Sequence, residues 1–326
     1  MSSFENRPSS VYGYYDNASE LGALFASPNN RDFLKLPADG YAMPHGHLIH
    51  FSRVDGGDSF SYDDFESHFG TSMWADWWDP VYYTSSLKIV DDKPTAHPDK
   101  WKRLVKFWAP AWVDYYCDEY QKNQFQVRTA ARQLMVTDNG AFEPKRYSKI
   151  NDDGYAVRYE GMDEETFVSR MEELVHEIWK RGIGLVVNQA SMEFDNWLRI
   201  HRWVAGTVHE RIMWWQEGGA YRMAQWRDKI ERCQMLHDKV NLFDAVLSSK
   251  DNEHEIEQAC LTFTLLRGPF DFLSMRFEGH PPDNYLSGLD SIGTPIAPIE
   301  PTEGGFRRLT TRGIVGQAGT RCRFDA

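Results

Sequence analysis

The chain has 326 residues, and 36 Lys and Arg stand against 48 Asp and Glu, so its formal net charge at pH 7 is -12. This length is ample for burying a large core. The excess of negative charge repels phosphate backbones and anionic lipid surfaces, which argues against nucleic acid and membranes as partners. The first residues lack the apolar core of a signal peptide, and no run of eighteen apolar residues could span a bilayer, so we expect a cytoplasmic protein.

The chain divides into three regions by composition. Residues 1–44 show no sustained period and are expected to form an extended arm. Residues 45–278 are expected to form a helical domain with a β-prone segment between His47 and Val54. Residues 279–326 are rich in Pro and Gly and are expected to form an irregular basic tail, which would dock on the acidic body or on an acidic partner subunit.

Helical periodicity dominates the second region, so the predicted fold class is mainly α with minor β. Apolar stripes predict long helices over residues 100–135, 191–217 and 221–247 and a last helix around Cys260. Pro110 should kink or divide the first of these helices. Asp163 is the predicted N-cap of a further helix, and the apolar run Ile183 to Val187 after it predicts a short strand.

Three side chains are candidates for chemistry. Glu119 continues a Trp- and Tyr-rich stripe, where burial would raise its pKa, although such stripes also end in residues that reach solvent. His201 and His209 fall on one predicted apolar helix face, together with Leu198, Val208 and others. Each could line a pocket, or could be a neutral core histidine bonded to a carbonyl or carboxylate.

The sequence contains no complete set of residues at the spacing of a metal site. Glu173 and His176 form one Glu-x-x-His, but both project away from the apolar stripe of their helix and no second copy exists. His45, His47 and His50 crowd one segment without an acidic ligand beside them. The cysteines are far apart, so reduced thiols are expected, and no metal or cofactor is expected on this chain; the four are Cys117, Cys233, Cys260 and Cys322. Phosphate-binding and nucleophile-elbow motifs are also absent.

An aromatic cluster carries a resemblance to a known family. Trp74, Trp77 and Trp78 flank Asp79-Pro80, and Tyr82 and Tyr83 follow, ahead of a long Trp- and Tyr-rich core in an acidic chain. This pattern resembles the β subunits of bacterial soluble di-iron multicomponent monooxygenases, which oxidise alkenes, alkanes, phenols and toluenes.

The resemblance implies a ferritin-like helical bundle that lacks iron ligands. It further implies a non-catalytic subunit that supports a larger catalytic subunit, and this partner would hold the di-iron centre. The complex would be a homo- or hetero-oligomer. The aromatic cluster would then be the candidate interface.

Two other functions stay open. One is a self-sufficient enzyme with an aromatic-lined apolar pocket that uses Glu119 with His201 or His209. The other is an interaction protein without a link to catalysis.

Overall fold

The computed structural model describes part of the chain, and the ranges below refer to that part. The described residues are 10–12, 23–26, 41–46, 50–52, 67–69, 74–79, 89–90, 93–94, 102–120, 133–137, 149–150, 156–158, 163–188, 198–215, 230, 233–277 and 285–326.

A parallel eight-stranded sheet forms the centre of the molecule. Its strands follow one another in chain order, and each pairs in parallel with the next. They are β1 (Ser10–Tyr12), β2 (Ala23–Ala26), β3 (Tyr41–Gly46), β4 (Gln133–Thr137), β5 (Ile183–Asn188), β6 (Gly206–Trp214), β7 (Val240–Val246) and β8 (Asp271–Arg276).

The first and the last strand of this sheet lie next to each other. Cα atoms of β1 approach those of β8 to within 8 Å. Eight parallel strands in chain order with the first beside the last are the arrangement of a (β/α)8 barrel. The closed sheet has an inner face and an outer face, and the outer face packs on helices. The inner face carries one buried cluster, which includes Val186, Val208, Leu242 and Phe272.

Two long helices within the described residues pack on the outer face. Helix α2 (Glu164–Lys180) begins at Asp163, whose carboxylate accepts a 2.7 Å hydrogen bond from the Thr166 backbone N–H, so the predicted N-cap is confirmed. Gly182, at φ 90°, then turns the chain into β5. Helix α3 (Glu253–Leu266) begins at Asn252, which caps the Glu255 N–H in the same way.

A four-stranded antiparallel sheet follows the barrel. It consists of β9 (Glu300–Thr302), β10 (Gly305–Leu309), β11 (Ile314–Ala318) and β12 (Arg321–Asp325), paired in chain order. The sheet packs on α3, where the Gln258 carboxamide donates to the Cys322 carbonyl and accepts from the Cys322 N–H, both at 2.9 Å. Helix α4 (Tyr285–Ile292) also packs on α3.

Shorter elements complete the described residues. Helix α1 (Pro110–Tyr115) has Pro110 in its first turn, where a proline needs no N–H partner, and it continues into a π-helical turn, Tyr116–Tyr120. The segments His50–Ser52, Lys102–Val105 and Trp74–Asp79 form a three-stranded antiparallel sheet. Two-stranded pairings join Ile89–Val90 to Lys93–Pro94, and Lys149–Ile150 to Ala156–Arg158.

The predicted mainly helical, ferritin-like fold is wrong. Residues 206–214 and 240–246, which were expected to be helical, are central strands, and the expected helix over residues 100–135 contains a strand at each end. A strand that is covered on both faces carries a continuous apolar run, and short runs of this kind satisfy a helical wheel as well as a sheet. The helix around Cys260 and the strand after Gly182 were predicted correctly.

The terminal regions also differ from expectation. Strands β1 and β2 place parts of residues 1–44 in the central sheet. Residues 279–326 contain α4 and an ordered sheet in place of an irregular tail. All four cysteines are free and buried. Within the described ranges, no helix is long and apolar enough to cross a membrane.

Arg308 attaches the antiparallel sheet to the barrel. Its side chain is buried, and Nη1 donates to the carbonyl oxygens of Leu265 at 2.9 Å, of Arg267 and of Thr264, which close the carboxyl end of α3. Helix carboxyl ends carry partial negative charge and favour a cation. Burial lowers the pKa of Arg308 to about 10, and repulsion from the nearby positive charge of Arg267 is the second cause. Arg308 therefore holds the antiparallel sheet against the carboxyl end of α3.

We expect Arg308→Met to lower the free energy of unfolding by about 3 kcal/mol, because it leaves buried carbonyls without a donor. The matched control is Arg307→Met, which removes an exposed pair with Glu300 in the same sheet and should cost less than about 1 kcal/mol. Urea unfolding of both variants gives the comparison. Equal losses would show that Arg308 does not hold the two parts together.

Candidate functional site

The carboxyl ends of the barrel strands define one edge, which is where (β/α)8 barrels place their sites. Polar residues replace the apolar inner-face residues as the strands approach this edge. On β7 and β8 the paired inner-face residues run from Leu242 and Phe272 to Asp244 and Ser274. Asn188, the last residue of β5, is likewise buried at this edge.

Asp244 and Arg276 form an ion pair at this edge. The Arg276 Nε donates to Asp244 Oδ1 at 3.1 Å, and its Nη2 donates to Oδ2 at 2.9 Å, which is the two-pronged geometry that fixes a carboxylate in orientation. The Asp244 side chain is 0% exposed, whereas that of Arg276 is 22% exposed. The pair therefore runs from the barrel interior toward the solvent at the open edge.

A break in strand pairing lies opposite Asp244. His209 pairs with Phe243 and Met213 pairs with Ala245, so three residues of β6, Glu210 to Ile212, oppose the single residue Asp244. Extra residues of this kind bend a strand and re-aim side chains, and they are common beside active sites. The backbone therefore places an acidic residue of β6, Glu210, in the irregular segment across from Asp244.

His209 belongs to a second polar cluster, on the outer face. Its Nε2 lies 3.3 Å from the Asn241 Oδ1, and its ring stacks on Phe243, with ring centroids 4.8 Å apart. Asn241 Nδ2 donates to Asp271 Oδ1 at 2.7 Å, and the Gly268 N–H donates to Asp271 Oδ2 at 2.6 Å. The cluster sits near the amino ends of β7 and β8, behind the sheet and away from the carboxyl edge.

Burial dominates the electrostatics of this second cluster. It raises the pKa of Asp271 to about 7, although the Gly268 N–H, the Asn241 side chain and Arg267 all favour the ionised form. A carboxyl group so enclosed by protein donors connects two strands and a loop, which is a structural role.

The structure does not bring the predicted site residues Glu119, His201 and His209 together into one site. His201 begins a 3-10 turn, His201–Trp203, and its Nδ1 lies 2.8 Å from the Leu198 carbonyl oxygen. The predicted helix face shared by His201 and His209 is wrong, because His209 lies in β6. Glu119 lies in the π-helical turn, and its side chain is outside the described part of the chain.

The Glu-x-x-His residues and the aromatic cluster lie in different elements of the structure. Glu173 is exposed on α2, as expected. His176 is half-buried, and its ring stacks on that of Trp203 with the ring centroids 3.9 Å apart. Trp74, Trp77 and Trp78 lie in the strand Trp74–Asp79, whose side chains are not described, and Tyr82 and Tyr83 lie outside the described residues. Among the side chains that the structure does describe, no group of three metal-ligating residues comes together. The absence of a cofactor from this chain stays a prediction.

Asp244 and Arg276 were missed at the sequence level. Residues 240–246 were interpreted as helix, which hid the one acidic residue in an apolar run, Val-Asn-Leu-Phe-Asp-Ala-Val. The sequence pattern that could have revealed the site is an acidic residue, Asp244, inside an apolar run that has the length of a strand and is followed by the polar segment Ser248-Ser249.

The raised pKa of Asp271 predicts a pH effect on stability. Because the folded state holds this proton up to about pH 7, whereas an ordinary aspartate carboxyl releases it near 3.8, ionisation costs stability as the pH rises between these values. We expect the stability advantage of the wild type over Asp271→Asn to shrink by a few kcal/mol from pH 4 to pH 7. Urea unfolding across this range tests it, with the exposed Asp238→Asn as the control. A constant or growing advantage would contradict the assignment.

No protein-family model matches the chain, and no curated protein matches it. Among solved structures, the chain is similar to Aspergillus fumigatus Ega3 in complex with galactosamine, at 11% sequence identity and a TM-score of 0.43, over 83% of this chain and 89% of that one. A likeness at this level carries no information on function.

Proposed function

We propose that the protein is a glycoside hydrolase whose site lies at the carboxyl edge of the barrel. The observation that carries the proposal is the fully buried carboxylate of Asp244, which Arg276 fixes in orientation directly opposite the irregular segment of β6. The predicted monooxygenase subunit is not taken further, because the helical bundle that it implied is absent from the described structure.

Carboxylate pairs are the chemical basis of this proposal. Glycoside hydrolysis commonly uses two carboxyl groups, one that protonates the leaving oxygen and one that acts as base or nucleophile on the opposite side of the sugar. Asp244 and Glu210 are the acidic residues that the backbone brings opposite each other on neighbouring strands. In this proposal Asp244, whose carboxylate is held by the Arg276 guanidinium, serves as base or nucleophile, and Glu210 serves as the acid.

Composition favours a sugar over an anionic substrate. The net charge of -12 repels phosphorylated or strongly acidic ligands. The 12 Trp, 15 Tyr and 19 Phe supply flat apolar surfaces of the kind that stack on the C–H faces of sugar rings. A neutral oligosaccharide or polysaccharide is therefore the proposed substrate class.

The test is release of reducing ends from a panel of neutral polysaccharides and aryl glycosides. Asp244→Asn and Glu210→Gln should each lower the rate roughly 10²- to 10⁴-fold, because each removes one proton-transfer or nucleophilic group. The matched controls are the exposed Asp251→Asn and Glu257→Gln, which should keep the wild-type rate. Near-ultraviolet circular dichroism checks that every variant is folded.

Two outcomes would contradict the proposal. The first is a wild-type protein that cleaves no member of the panel. The second is a cleavage rate that survives both the Asp244→Asn and the Glu210→Gln substitution in folded protein.

A further inference from the structure

The antiparallel sheet has one covered face and one exposed face. Arg308, Val315 and Cys322, on β10, β11 and β12, are buried on the side of α3. Successive side chains of a strand point to opposite faces, so the exposed residues of these strands share the other side, the exposed sheet face. They are Arg307 and Leu309 on β10, Ile314 and Ala318 on β11, and Arg321, Arg323 and Asp325 on β12.

Three aliphatic side chains form a row across the exposed sheet face. The Ile296 N–H donates to the Leu309 carbonyl oxygen at 3.0 Å beside an antiparallel bridge, and Leu309 pairs with Ile314 on the next strand. Residues that lie opposite each other on antiparallel strands share a face. The exposed fractions of Ile296, Leu309 and Ile314 are 60%, 44% and 36%. Neighbouring exposed apolar residues that are bordered by polar ones are typical of surfaces that contact a partner.

Small residues lie at the centre of the exposed sheet face. Gly316 of β11 is paired with Arg307 on one side and with Arg323 on the other, and Ala318 follows two residues later on the same strand. The Arg323 Nε lies 3.6 Å from the position that a Cβ would take at Gly316, so the arginine side chain lies over the glycine. The low centre lets a second sheet approach to about 10 Å, the usual distance between packed sheets.

The charged residues of the exposed sheet face have both signs. Arg307 Nη2 lies 2.8 Å from Glu300 Oε2, Arg323 Nε lies 3.6 Å from Asp325 Oδ2, and Arg321 adds a third guanidinium. A face of this kind is complementary to itself, because a two-fold axis can bring the arginines of one copy to the carboxylates of the other. A polyanion, by contrast, would meet two carboxylates here.

The net charge also favours this face for contact between copies. The whole chain carries a charge of -12, so two copies repel each other over most approaches. On the exposed sheet face, three arginines stand against two acidic residues. Two copies that meet through this face therefore experience less repulsion than their overall charge implies.

We infer that two copies of this chain associate through the exposed sheet face, sheet against sheet, about a two-fold axis. The aliphatic rows of the two copies cover each other, and the arginines of each copy lie near carboxylates of the other. Covering the rows removes apolar surface from water, which drives the association. The inference does not depend on the proposed hydrolase activity.

The experiment is sedimentation equilibrium of the full chain from about 1 to 200 µM, a range that covers the dissociation constants of weak dimers. The wild type should show an equilibrium between monomer and dimer. Ile314→Lys and Leu309→Lys should each raise the dissociation constant at least about tenfold, because each places an unpaired cation in the contact. Met235→Lys is the matched control, since the Met235 side chain is 42% exposed and lies outside the exposed sheet face, and it should keep the wild-type dissociation constant.

Near-ultraviolet circular dichroism establishes that each variant is folded. Weaker dimerisation in both Ile314→Lys and Leu309→Lys, with an unchanged dissociation constant in Met235→Lys, supports the inference. A wild type that stays monomeric over the whole concentration range would overturn it, even if the face binds another protein. A dissociation constant that either folded face variant leaves unchanged, or an equal loss in Met235→Lys, would also overturn it.

Discussion

The shared direction of the eight central strands is the constraint on which the rest of the structure depends. Because all the strands run in parallel, their carboxyl ends meet at one edge, and residues far apart in sequence come together there. Asn188, Asp244 and Arg276 follow one another around that edge on β5, β7 and β8. The amino ends carry a different set of contacts, in which Asn241 and Asp271 connect strands to loops.

The ion pair between Asp244 and Arg276 is expected to contribute little to the free energy of folding. Removing two charges from water is expensive, and their mutual attraction often does no more than offset that cost. A pair with one member fully buried is therefore weak evidence of stabilisation, and an apolar pair would serve a barrel core equally well. In this account, Asp244 and Arg276 occur at the edge because the site needs a fixed carboxylate there. By contrast, Arg308 satisfies carbonyls at the end of α3 and has a structural role.

How much the sequence predicts differs from element to element. The start of α2 at Asp163 follows from local chemistry, since a capping carboxylate and an apolar stripe need no tertiary information. Strand β7 was mistaken for helix because Val240, Phe243 and Leu247 recur at helical spacing, while burial on both faces removes the alternation that marks a strand. The same error placed His209 on a helix.

The candidate site was harder to predict than the fold. The pairing of Asp244 with Arg276, 32 residues later, depends on strand register, and the irregularity at Glu210 arises from pairing with β7. Neither feature has a local signature in the sequence. The barrel edge itself becomes visible only when parallel strands are recognised, after which a charged residue in an apolar strand is informative.

The central claim is that Asp244 and Arg276 are paired for the chemistry of the site and not for stability. The most direct measurement is the free energy of unfolding in urea for Asp244→Leu, Arg276→Met and the double variant. We expect each single variant to lose about 3 kcal/mol, because it leaves one charge without its partner, and the double variant to lose less than about 1 kcal/mol. A double variant that loses as much as the two single variants together would contradict the account.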